Sequence, residues 1–397
     1  MRHTAVLALI AAAVAMTSAQ SSRQVVNTGP ASGLPFSSAV KAGGLIYLSG
    51  AIAADAGGKT SGDIKEQTAR TLDGLAATLK AAGSGMPMAA SVMVYLRNAA
   101  DFAAMNDVYK TYWPKDPPTR TTVVAPLARP EALVEISMVA VPTGGERRVV
   151  HPSDWIASPN PYSYGIQTGD TLFLSGLVSR NGHDNTAVKG DITAQTKTVL
   201  DNGAAILRAA GMSYADVVSA RVFLPDASVF QAMNATYRPY FPATPPARAT
   251  VKAGLTSADY LVEITMVAVK DASRTAFTTP NADGSAGTAN PNLSSAIRVG
   301  NRLFVSGTLG NTSANKGDVK AQTAEALARI GRTLKAAGFE WGSVAEGMVY
   351  LPDIARFGDM NDAYRSVFSK DFPARTTIQA GLMGADAAVE IMVTAVK

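Results

Sequence analysis

Three arginines that occur in the same short motif are the residues of this chain best suited to chemistry. The motifs are "PPTRTT", "PPARAT" and "FPARTT", and their arginines are Arg120, Arg248 and Arg375. Each arginine follows a proline-containing bend and precedes β-branched residues, which predicts that it opens a strand. A guanidinium in that position presents a planar set of hydrogen-bond donors that suits a carboxylate. A salt bridge to a nearby acid or between subunits is the alternative, and the threefold repetition favours a binding site.

A glutamate follows each arginine after the same interval. Glu135, Glu263 and Glu390 each stand in a "VE" pair followed by isoleucine, within apolar strands such as "LVEISMVAV". A carboxylate in such a strand is costly unless it has a partner. The glutamates are therefore either buried structural acceptors or general bases with raised pKa values, and the residues alone do not choose between the two.

Serine and asparagine also recur at equal offsets. The serines, each placed before a glycine at the end of an apolar strand, are Ser49, Ser175 and Ser306. Because no histidine is near, we expect them to donate hydrogen bonds rather than to act as nucleophiles. The asparagines of "MNDVY", "MNATY" and "MNDAY" are Asn106, Asn234 and Asn361. They lie beside the apolar stripe of a helix, where they either hold a loop in place or face a pocket.

The composition of the chain excludes several classes of chemistry. It has no cysteine and three histidines, His3, His151 and His183, which excludes disulfides and thiol catalysis and disfavours a Ser–His–Asp hydrolase. No two histidines have a ligand spacing, so we expect no metal and no cofactor. The formal charge of +5 is spread over 397 residues without a Lys/Arg cluster longer than a pair. This argues against nucleic-acid and membrane-surface partners.

The N-terminus is typical of an export signal. Arg2 and His3 give a short positive end, residues 4–16 form an apolar core, and small residues at 17–19 precede Gln20. The apolar core is short for a membrane span. We therefore expect residues 1–19 to be a cleaved signal peptide, the mature protein to carry no membrane segment, and its location to be periplasmic or secreted. A retained N-terminal anchor is the alternative.

The equal spacing of these residues predicts three homologous domains in tandem. Between the serine and the asparagine of each copy lies a segment of constant length, at 63–83, 191–211 and 318–338. Each segment begins at an aspartate that can cap a helix and ends at a glycine that can stop it. The composition places the domains at 24–142, 149–270 and 289–397. They are joined by "PTGGERRVVHPS" and by a linker at 271–288 that is rich in Gly, Ser, Thr, Asn and Pro.

Hydrophobic spacing predicts the secondary structure of each copy. In the third copy Leu327, Ile330, Leu334 and Ala337 recur at helical intervals. The strand signals "GLIYLSG", "SVMVYL", "TTVVAPL" and "LVEISMVAV" surround two helices in the first copy. The order strand–strand–helix–strand–helix–strand–strand predicts an α+β fold in which a sheet packs on two helices.

Together these motifs resemble the RidA/YjgF family, also called endoribonuclease L-PSP. The resemblance covers all three copies and rests on "NPYSYGIQTGDTLFLSG", the "Q-T" helix ending in "AAG", "F-x-x-M-N-x-x-Y" and "P-x-R-x-T". It implies chorismate-mutase-like domains that assemble as trimers, with clefts between neighbouring subunits. It also implies hydrolysis of 2-imino acids, or their enamine tautomers, to 2-keto acids and ammonia, which needs neither a metal nor a covalent nucleophile.

The resemblance further implies roles for individual residues. The three arginines would clamp the substrate carboxylate, the three glutamates would orient water at the imine carbon, and the serines and asparagines would line the same cleft. A backbone contact would come from the residue two past each arginine, namely Thr122, Thr250 or Thr377. The family's site tyrosine corresponds to Tyr162, whereas the other copies have Phe36 and Leu293. We therefore expect the fullest catalytic set to be Arg248, Glu263, Tyr162, Ser175 and Asn234, and the remaining residues to bind substrate.

Three copies in one chain predict an intramolecular pseudo-trimer with three non-identical clefts, formed by a monomeric chain. The expected partner is a small 2-imino acid or another carboxylic acid. We expect a hydrolytic deaminase, and non-catalytic binding of small carboxylic acids is the alternative because two copies lack the tyrosine. Ribonuclease activity, which the second family name suggests, is disfavoured by the absence of a histidine pair and of a basic patch.

Overall fold

The computed structural model describes residues 23–29, 33–55, 57–241 and 243–397. Within these ranges, three units with the same order of elements follow one another along the chain. The segment 1–19, for which the sequence predicts a signal peptide, lies outside the described residues. None of the described helices is long and apolar enough to cross a membrane.

Each unit contains one long and one short α-helix. In chain order the helices are α1 (Ile64–Ala81), α2 (Phe102–Tyr112), α3 (Ile192–Ala209), α4 (Phe230–Tyr237), α5 (Val319–Ala336) and α6 (Phe357–Tyr364). The long helices begin directly after the predicted aspartates, whose side chains accept a hydrogen bond from the backbone N–H three residues later. They end before Gly83, Gly211 and Gly338, whose φ angles of +80°, +70° and +79° are the left-handed values that terminate a helix.

Each unit also contributes one sheet. The strands of the first unit are β1 (Gln24–Val26), β2 (Ala39–Ala42), β3 (Leu45–Ala51), β4 (Ala89–Leu96), β5 (Thr119–Val124) and β6 (Val134–Ala140). Those of the second are β7 (Arg148–Val150), β8 (Gly165–Thr168), β9 (Thr171–Leu174), β10 (Val217–Leu224), β11 (Ala247–Lys252), β12 (Gly254–Leu255) and β13 (Glu263–Val269). Those of the third are β14 (Thr275–Phe277), β15 (Ala296–Val299), β16 (Arg302–Leu309), β17 (Val344–Leu351), β18 (Ala374–Gln379), β19 (Gly381–Leu382) and β20 (Glu390–Val396).

The strand order β1-β2-β3-β6-β4-β5 of the first sheet recurs in the other two. The strand that carries each cleft arginine runs parallel to its neighbour, β5 beside β4, β11 beside β10 and β18 beside β17. Strand β1 is one more than the sequence predicts in the first unit, and β12 and β19 are two-residue additions in the other two. These two units each have a further unpredicted strand, because β7 lies in the first junction and β14 lies in the expected linker at 271–288. Both are three residues long, too short to show a strand pattern, and each forms by antiparallel pairing with the strand that follows it.

The helices cover one face of each sheet, and the opposite faces meet at the centre of the molecule. Each unit has its own apolar core between helices and sheet. A further buried cluster combines Met93 and Tyr95 of the first unit, Phe223 of the second, and Met348 and Tyr350 of the third. The chain is therefore an internal pseudo-trimer around a shared apolar centre.

Backbone pairing closes this ring in the same sense all the way around. Strand β12 of the second unit pairs with β5 of the first, and β19 of the third pairs with β11 of the second. Leu127 of the first unit forms a bridge with Ile378 of the third. Each unit therefore extends the sheet of its neighbour, including across the two ends of the chain.

Three equivalent arginines fasten each unit to the one before it. Arg147 donates to the carbonyls of Ala89, at 2.8 Å, and Asp116, at 2.9 Å. Arg274 donates in the same way to the carbonyls of Val217 and Thr244. Arg23, at the start of the described chain, makes the equivalent contacts to Val344 and Asp371 of the third unit, at 2.8 Å and 2.6 Å. At the first two junctions this arginine contact accompanies the peptide segment that connects the two units. Between the third and first units, which no such segment connects, the Arg23 contact joins the two units directly.

Light scattering coupled to size-exclusion chromatography is expected to give the mass of one chain. The physical reason is that each unit's trimer-forming edge is already paired with another unit of the same chain. A mass of three chains would instead mean that units of different chains exchange partners, and it would contradict the closed ring.

Candidate functional site

Each cleft is built by two units, with the arginine on one unit and the glutamate on the next. Arg120 faces Glu263, Arg248 faces Glu390, and Arg375 faces Glu135. We name them the Arg120, Arg248 and Arg375 clefts. They lie between the first and second, the second and third, and the third and first units.

This geometry corrects the predicted catalytic grouping. Arg248 and Glu263 flank β10 on opposite sides, where Arg248 pairs with Ala220 and Glu263 pairs with Phe223. Two strand spacings, about 10 Å, and three residues of strand, about 10 Å, therefore separate them. The predicted set is divided between two clefts: Glu263, Tyr162 and Ser175 meet Arg120, whereas Arg248 and Asn234 meet Ser306 and Glu390.

The three cleft serines join the two units of each cleft. Ser175 Oγ accepts a hydrogen bond from the Arg120 backbone N–H at 2.9 Å and donates one to the Ser163 carbonyl at 2.7 Å. Ser306 and Ser49 hold the backbone N–H groups of Arg248 and Arg375 in the same way, each at 2.8 Å. Because a backbone carbonyl uses the hydroxyl proton, the serine fixes the arginine strand and has no second proton to donate to a substrate.

A second serine, which the sequence analysis did not single out, holds the bend before the arginine. The Ser163 backbone N–H donates to the Pro118 carbonyl at 3.1 Å, and its Oγ donates to the Pro117 carbonyl at 2.6 Å. Ser37 and Ser294 make the same two contacts to the bends of the other two clefts. Each of these serines directly follows the variable tyrosine position, so the internal repeat itself contained the signal.

The cleft arginines are buried against aromatic rings. The exposed fractions are 4% for Arg120, 2% for Arg248 and 3% for Arg375. The last tyrosine of each "M-N-x-x-Y" motif lies 4.8, 4.7 and 4.8 Å from its guanidinium carbon, and these tyrosines are Tyr109, Tyr237 and Tyr364. A cation over an aromatic face is attracted by the ring quadrupole, which offsets part of the cost of removing the guanidinium from water.

The three cleft asparagines do not make the same hydrogen bonds. Asn234 accepts a hydrogen bond from Arg248 Nη2, and Asn361 accepts one from Arg375 Nη2, both at 2.7 Å. Asn106 instead points its amide nitrogen at Asn160 of the second unit, at 3.5 Å. In the Arg120 cleft the asparagine therefore bridges the two units rather than binding the guanidinium.

Polar atoms without a partner collect in the clefts. In the part of the chain that the structure describes, Arg120 Nη1, the Tyr109 hydroxyl and the Thr122 hydroxyl are buried and make no hydrogen bond. The same kinds of atom recur in the other clefts, at Arg248 and Thr250 and at Tyr364 and Thr377. Leaving a buried donor or acceptor unpaired costs about 1–3 kcal/mol. Three such sets at equivalent places leave each cleft with polar atoms that a polar ligand or water would pair.

Burial raises the pKa of Glu135, Glu263 and Glu390 to about 8. Desolvation is the main cause, and the facing arginine opposes it in each cleft. The Thr122 backbone N–H donates to Glu263 Oε1 at 3.3 Å, so the predicted backbone contact of this threonine goes to the glutamate. The three carboxyl groups are thus mainly neutral at pH 7. Among the described residues, no group of three or more His, Asp or Glu side chains could hold a metal ion.

The glycine after each cleft serine leaves room for the glutamate. A Cβ added at Gly176 would lie 2.0 Å from Glu263 Oε1 and 2.9 Å from Thr121 Cγ2. Gly50 and Gly307 have the same relation to the glutamates of the other two clefts. The serine therefore fixes the neighbouring strand, and the glycine admits the carboxyl group beside it.

The clefts differ most at the predicted tyrosine position. The Tyr162 ring lies 6.0 Å from the Arg120 guanidinium carbon, and the Phe36 ring lies 5.6 Å from that of Arg375. Leu293 occupies this position in the third unit, which faces Arg248. Only the Arg120 cleft therefore carries a hydroxyl at this position.

A small pocket continues from the Arg120 cleft. Its lining includes Trp155, Tyr164, Leu177, Val178, Arg180 and Asn181. Tyr162 and Gly176 belong to the pocket and to the cleft at once. The pocket therefore adjoins the Arg120 cleft, and its lining mixes aromatic and apolar side chains with Arg180, Asn181, Asn185 and Asn202.

A ring of three α+β units with a cleft at each junction defines the class of protein, and the family comparison agrees with it. The family model described as endoribonuclease L-PSP matches residues 26–142, 153–270 and 285–397. The chain therefore belongs to the RidA/YjgF family, also called endoribonuclease L-PSP, and contains three copies of its domain.

The relatives each correspond to one unit of this chain. A RutC family protein of Sulfurisphaera tokodaii is 44% identical over 110 residues, which are 28% of this chain and 88% of that protein. The mitochondrial protein mmf2 of Schizosaccharomyces pombe is 43% identical over 111 residues, 27% of this chain and 88% of that protein. The crystal structure of the YjgF gene product from E. coli is 32% identical with a TM-score of 0.29, and the match covers 31% of this chain and 98% of that one.

The substitution Gly176→Ala is expected to lower the free energy of unfolding by about 1–3 kcal/mol, the usual cost of overpacking a filled site. The added methyl group would force Glu263 away from its place between the units. Denaturant unfolding followed by circular dichroism measures this change. Gly74→Ala is the matched control, because a Cβ at this position in α1 meets none of the described atoms within 4 Å. It should stabilise the helix by up to about 1 kcal/mol, and an equal loss in both variants would contradict the steric account.

Proposed function

We propose that the protein hydrolyses 2-imino acids, or their enamine tautomers, to 2-keto acids and ammonia in the Arg120 cleft. One observation carries this proposal: a single cleft combines a buried arginine with an unpartnered nitrogen, a glutamate with a raised pKa, and a tyrosine. The sequence favours Arg248 as the arginine of the fullest catalytic set. The Arg120 cleft is chosen here instead, because Glu263 and Tyr162 lie at Arg120 and not at Arg248.

Arg120 would bind the carboxylate of the substrate. Its Nη1 atom is buried without a hydrogen-bond partner among the described residues, and Glu263 opposite is mainly neutral at pH 7. The positive charge is thus largely uncompensated until an anion enters. A carboxylate supplies that charge and pairs with the planar guanidinium.

The Glu263 carboxyl group would then move the protons of the reaction. In its neutral form it donates a proton to the imine nitrogen, which makes the imine carbon more electrophilic. Water adds to that carbon and returns a proton to the carboxylate, giving a carbinolamine. The carboxyl group next protonates the amine, the C–N bond breaks and ammonia leaves, while the hydroxyl proton returns to Glu263 and the keto acid forms.

Tyr162 and the adjoining pocket would place the rest of the substrate. The tyrosine ring lies beside the guanidinium and also forms a wall of the pocket. The substrate's side chain would point into this pocket, whose volume of about 20 Å³ favours a short side chain.

The other two clefts support a second function, the binding of carboxylic acids without turnover. They keep the buried arginine and the glutamate, but Phe36 and Leu293 replace the tyrosine. Asn234 and Asn361 also take up one arginine nitrogen in these clefts. The arginine there keeps its charge for a carboxylate, and one of its nitrogens already has an asparagine partner.

We also propose that the protein is exported, on the basis of the N-terminal pattern at 1–19. A periplasmic or secreted enzyme of this kind would receive its imines from an amino-acid-oxidising reaction outside the cytoplasm. Detection of the mature N-terminus near Gln20 in the extracytoplasmic fraction would support this location.

Arg120→Ala is expected to lower the protein's acceleration of keto acid release by roughly 30-fold or more. The physical reason is that truncating one member of a buried charge pair costs about 2–5 kcal/mol. The assay couples an amino acid oxidase to the purified protein and subtracts spontaneous hydrolysis. Arg248→Ala makes the same change in a cleft without the tyrosine and should retain more than half of the acceleration. Equal losses in the two variants would contradict the assignment to one cleft. If the wild-type protein shows no acceleration and carboxylic acids raise its melting temperature, the binding function is correct instead.

The rate is also expected to fall as the pH rises through about 8, the pKa that burial gives Glu263. The sign follows from the role of the group: the neutral carboxyl form donates the proton, and it is lost above its pKa. Measuring kcat/KM between pH 6 and pH 10 tests this. Glu390→Gln, in the Arg248 cleft, should leave the decline in place, whereas a rate that increases through pH 8 would show that the carboxylate acts first as a base.

A further inference from the structure

A cavity lies at the centre of the ring, where the sheet faces opposite the helices meet. It has a volume of about 50 Å³, and residues of all three units line it, among them Tyr47, Ser91, Ser219, Arg221, Glu346 and Thr394. The Arg221 and Glu346 side chains are each 18% exposed, so water reaches them. No arginine or glutamate of the three clefts lines this space, so the axial cavity is a separate site within the described chain.

The charged residues of the axial cavity break the symmetry of the ring. On β4, β10 and β17, the residue before the strand partner of each cleft arginine is Ser91, Ser219 or Glu346. The residue after that partner is Met93, Arg221 or Met348. One anion and one cation therefore stand where the other two units keep serine and methionine.

Arg221 and Glu346 leave part of their hydrogen-bonding capacity unused. Their closest atoms, Nη2 and Oε2, are 3.6 Å apart, which is longer than a hydrogen bond between charged groups. Arg221 Nε is buried, and the described residues offer it no partner. The Tyr350 hydroxyl nearby is likewise buried and unpaired among the described residues. A buried pair that served only to join two units would need close geometry to repay its desolvation.

The third charged side chain at the cavity is already paired. Arg302 donates to the carboxylate of Asp170 at 2.5 Å and also to the Thr171 hydroxyl. Among the described lining residues, this leaves one cation and one anion side by side, with serine hydroxyls around them. A simple anion would meet Glu346 as a like charge, and a simple cation would meet Arg221. A molecule that carries both charges matches both side chains.

We propose that the axial cavity binds a small α-amino acid as a zwitterion. Its carboxylate accepts hydrogen bonds from the Arg221 guanidinium, and its ammonium donates to Glu346 and to the hydroxyls of Ser91 or Ser219. A single water needs roughly 10–15 Å³ of such space. The cavity of about 50 Å³ therefore suits roughly four or five non-hydrogen atoms, which is the size of glycine. This site lies outside the clefts and takes no part in the hydrolysis proposed above.

Titration calorimetry of the full mature chain with glycine, acetate and methylammonium tests the proposal. We expect glycine to bind at one site per chain at least about tenfold more tightly than either single-charge analogue, because only glycine pairs with both side chains. Arg221→Met and Glu346→Ser restore the residues of the other two units, so they should fold, and each should weaken glycine binding by at least about tenfold. Arg120→Ala, in the proposed hydrolytic cleft, should leave this binding unchanged, which separates the axial site from that cleft.

The cleft arginines can also bind carboxylates, so affinities are compared for the site that Arg221→Met weakens. Three results would overturn the proposal: no glycine binding, an unchanged glycine affinity in Arg221→Met, or acetate that binds at that site as tightly as glycine. If either single variant fails to fold, the double variant Arg221→Met/Glu346→Ser removes both charges together. The loss of glycine binding in that protein, with an unchanged melting temperature, is the expected result. Glycine binding that survives there would place it elsewhere and would also overturn the proposal.

Discussion

Each cleft depends on one hydrogen bond, from the backbone N–H of an arginine to the serine hydroxyl of the next unit. The serine in turn donates to a carbonyl of its own unit, so a single hydroxyl joins two backbones. This contact fixes where the arginine strand lies against the neighbouring sheet. The glycine beside the serine then admits the glutamate, and the guanidinium comes to face it. Without the second unit, neither the arginine nor the glutamate has the other as its partner.

Because the three units are parts of one chain, their sequences can differ at equivalent positions. In a trimer of identical chains, any residue on the axis occurs three times, so a charge there would meet two like charges. In this chain Arg221 occupies the axis once, between Met93 and Met348, and Glu346 lies close to it. The clefts have diverged in the same way, with tyrosine, phenylalanine and leucine at one position. A closed ring of unlike units can therefore hold sites of unlike function.

The clefts use burial to set the charge state of their residues. Removing the glutamate from water raises its pKa, while the arginine keeps its charge because its ordinary pKa lies far above neutral, even though burial lowers it. The result is a positive site without a full counter-charge, next to a carboxyl group that still holds its proton. Both features follow from the same low exposure, which is why one geometry can bind an anion and transfer a proton.

The sequence by itself determined the repeat, the helix ends and the family of this protein, because these depend on local patterns. Asp63 and Gly83 mark the ends of α1 through capping chemistry, and the spacing of Leu327 and Ile330 marks a buried helix face. It also identified the arginines, glutamates and serines, because repetition within one chain distinguishes them from variable positions. Only the tertiary structure decided which of them meet. Arg248 and Glu263 are close in sequence but lie on opposite sides of β10, whereas Arg120 and Glu263 meet across a domain boundary. The order of residues along a chain does not show how strands from different units dock. The arginine of "FPARTT", in the third unit, for example, faces a glutamate of the first unit.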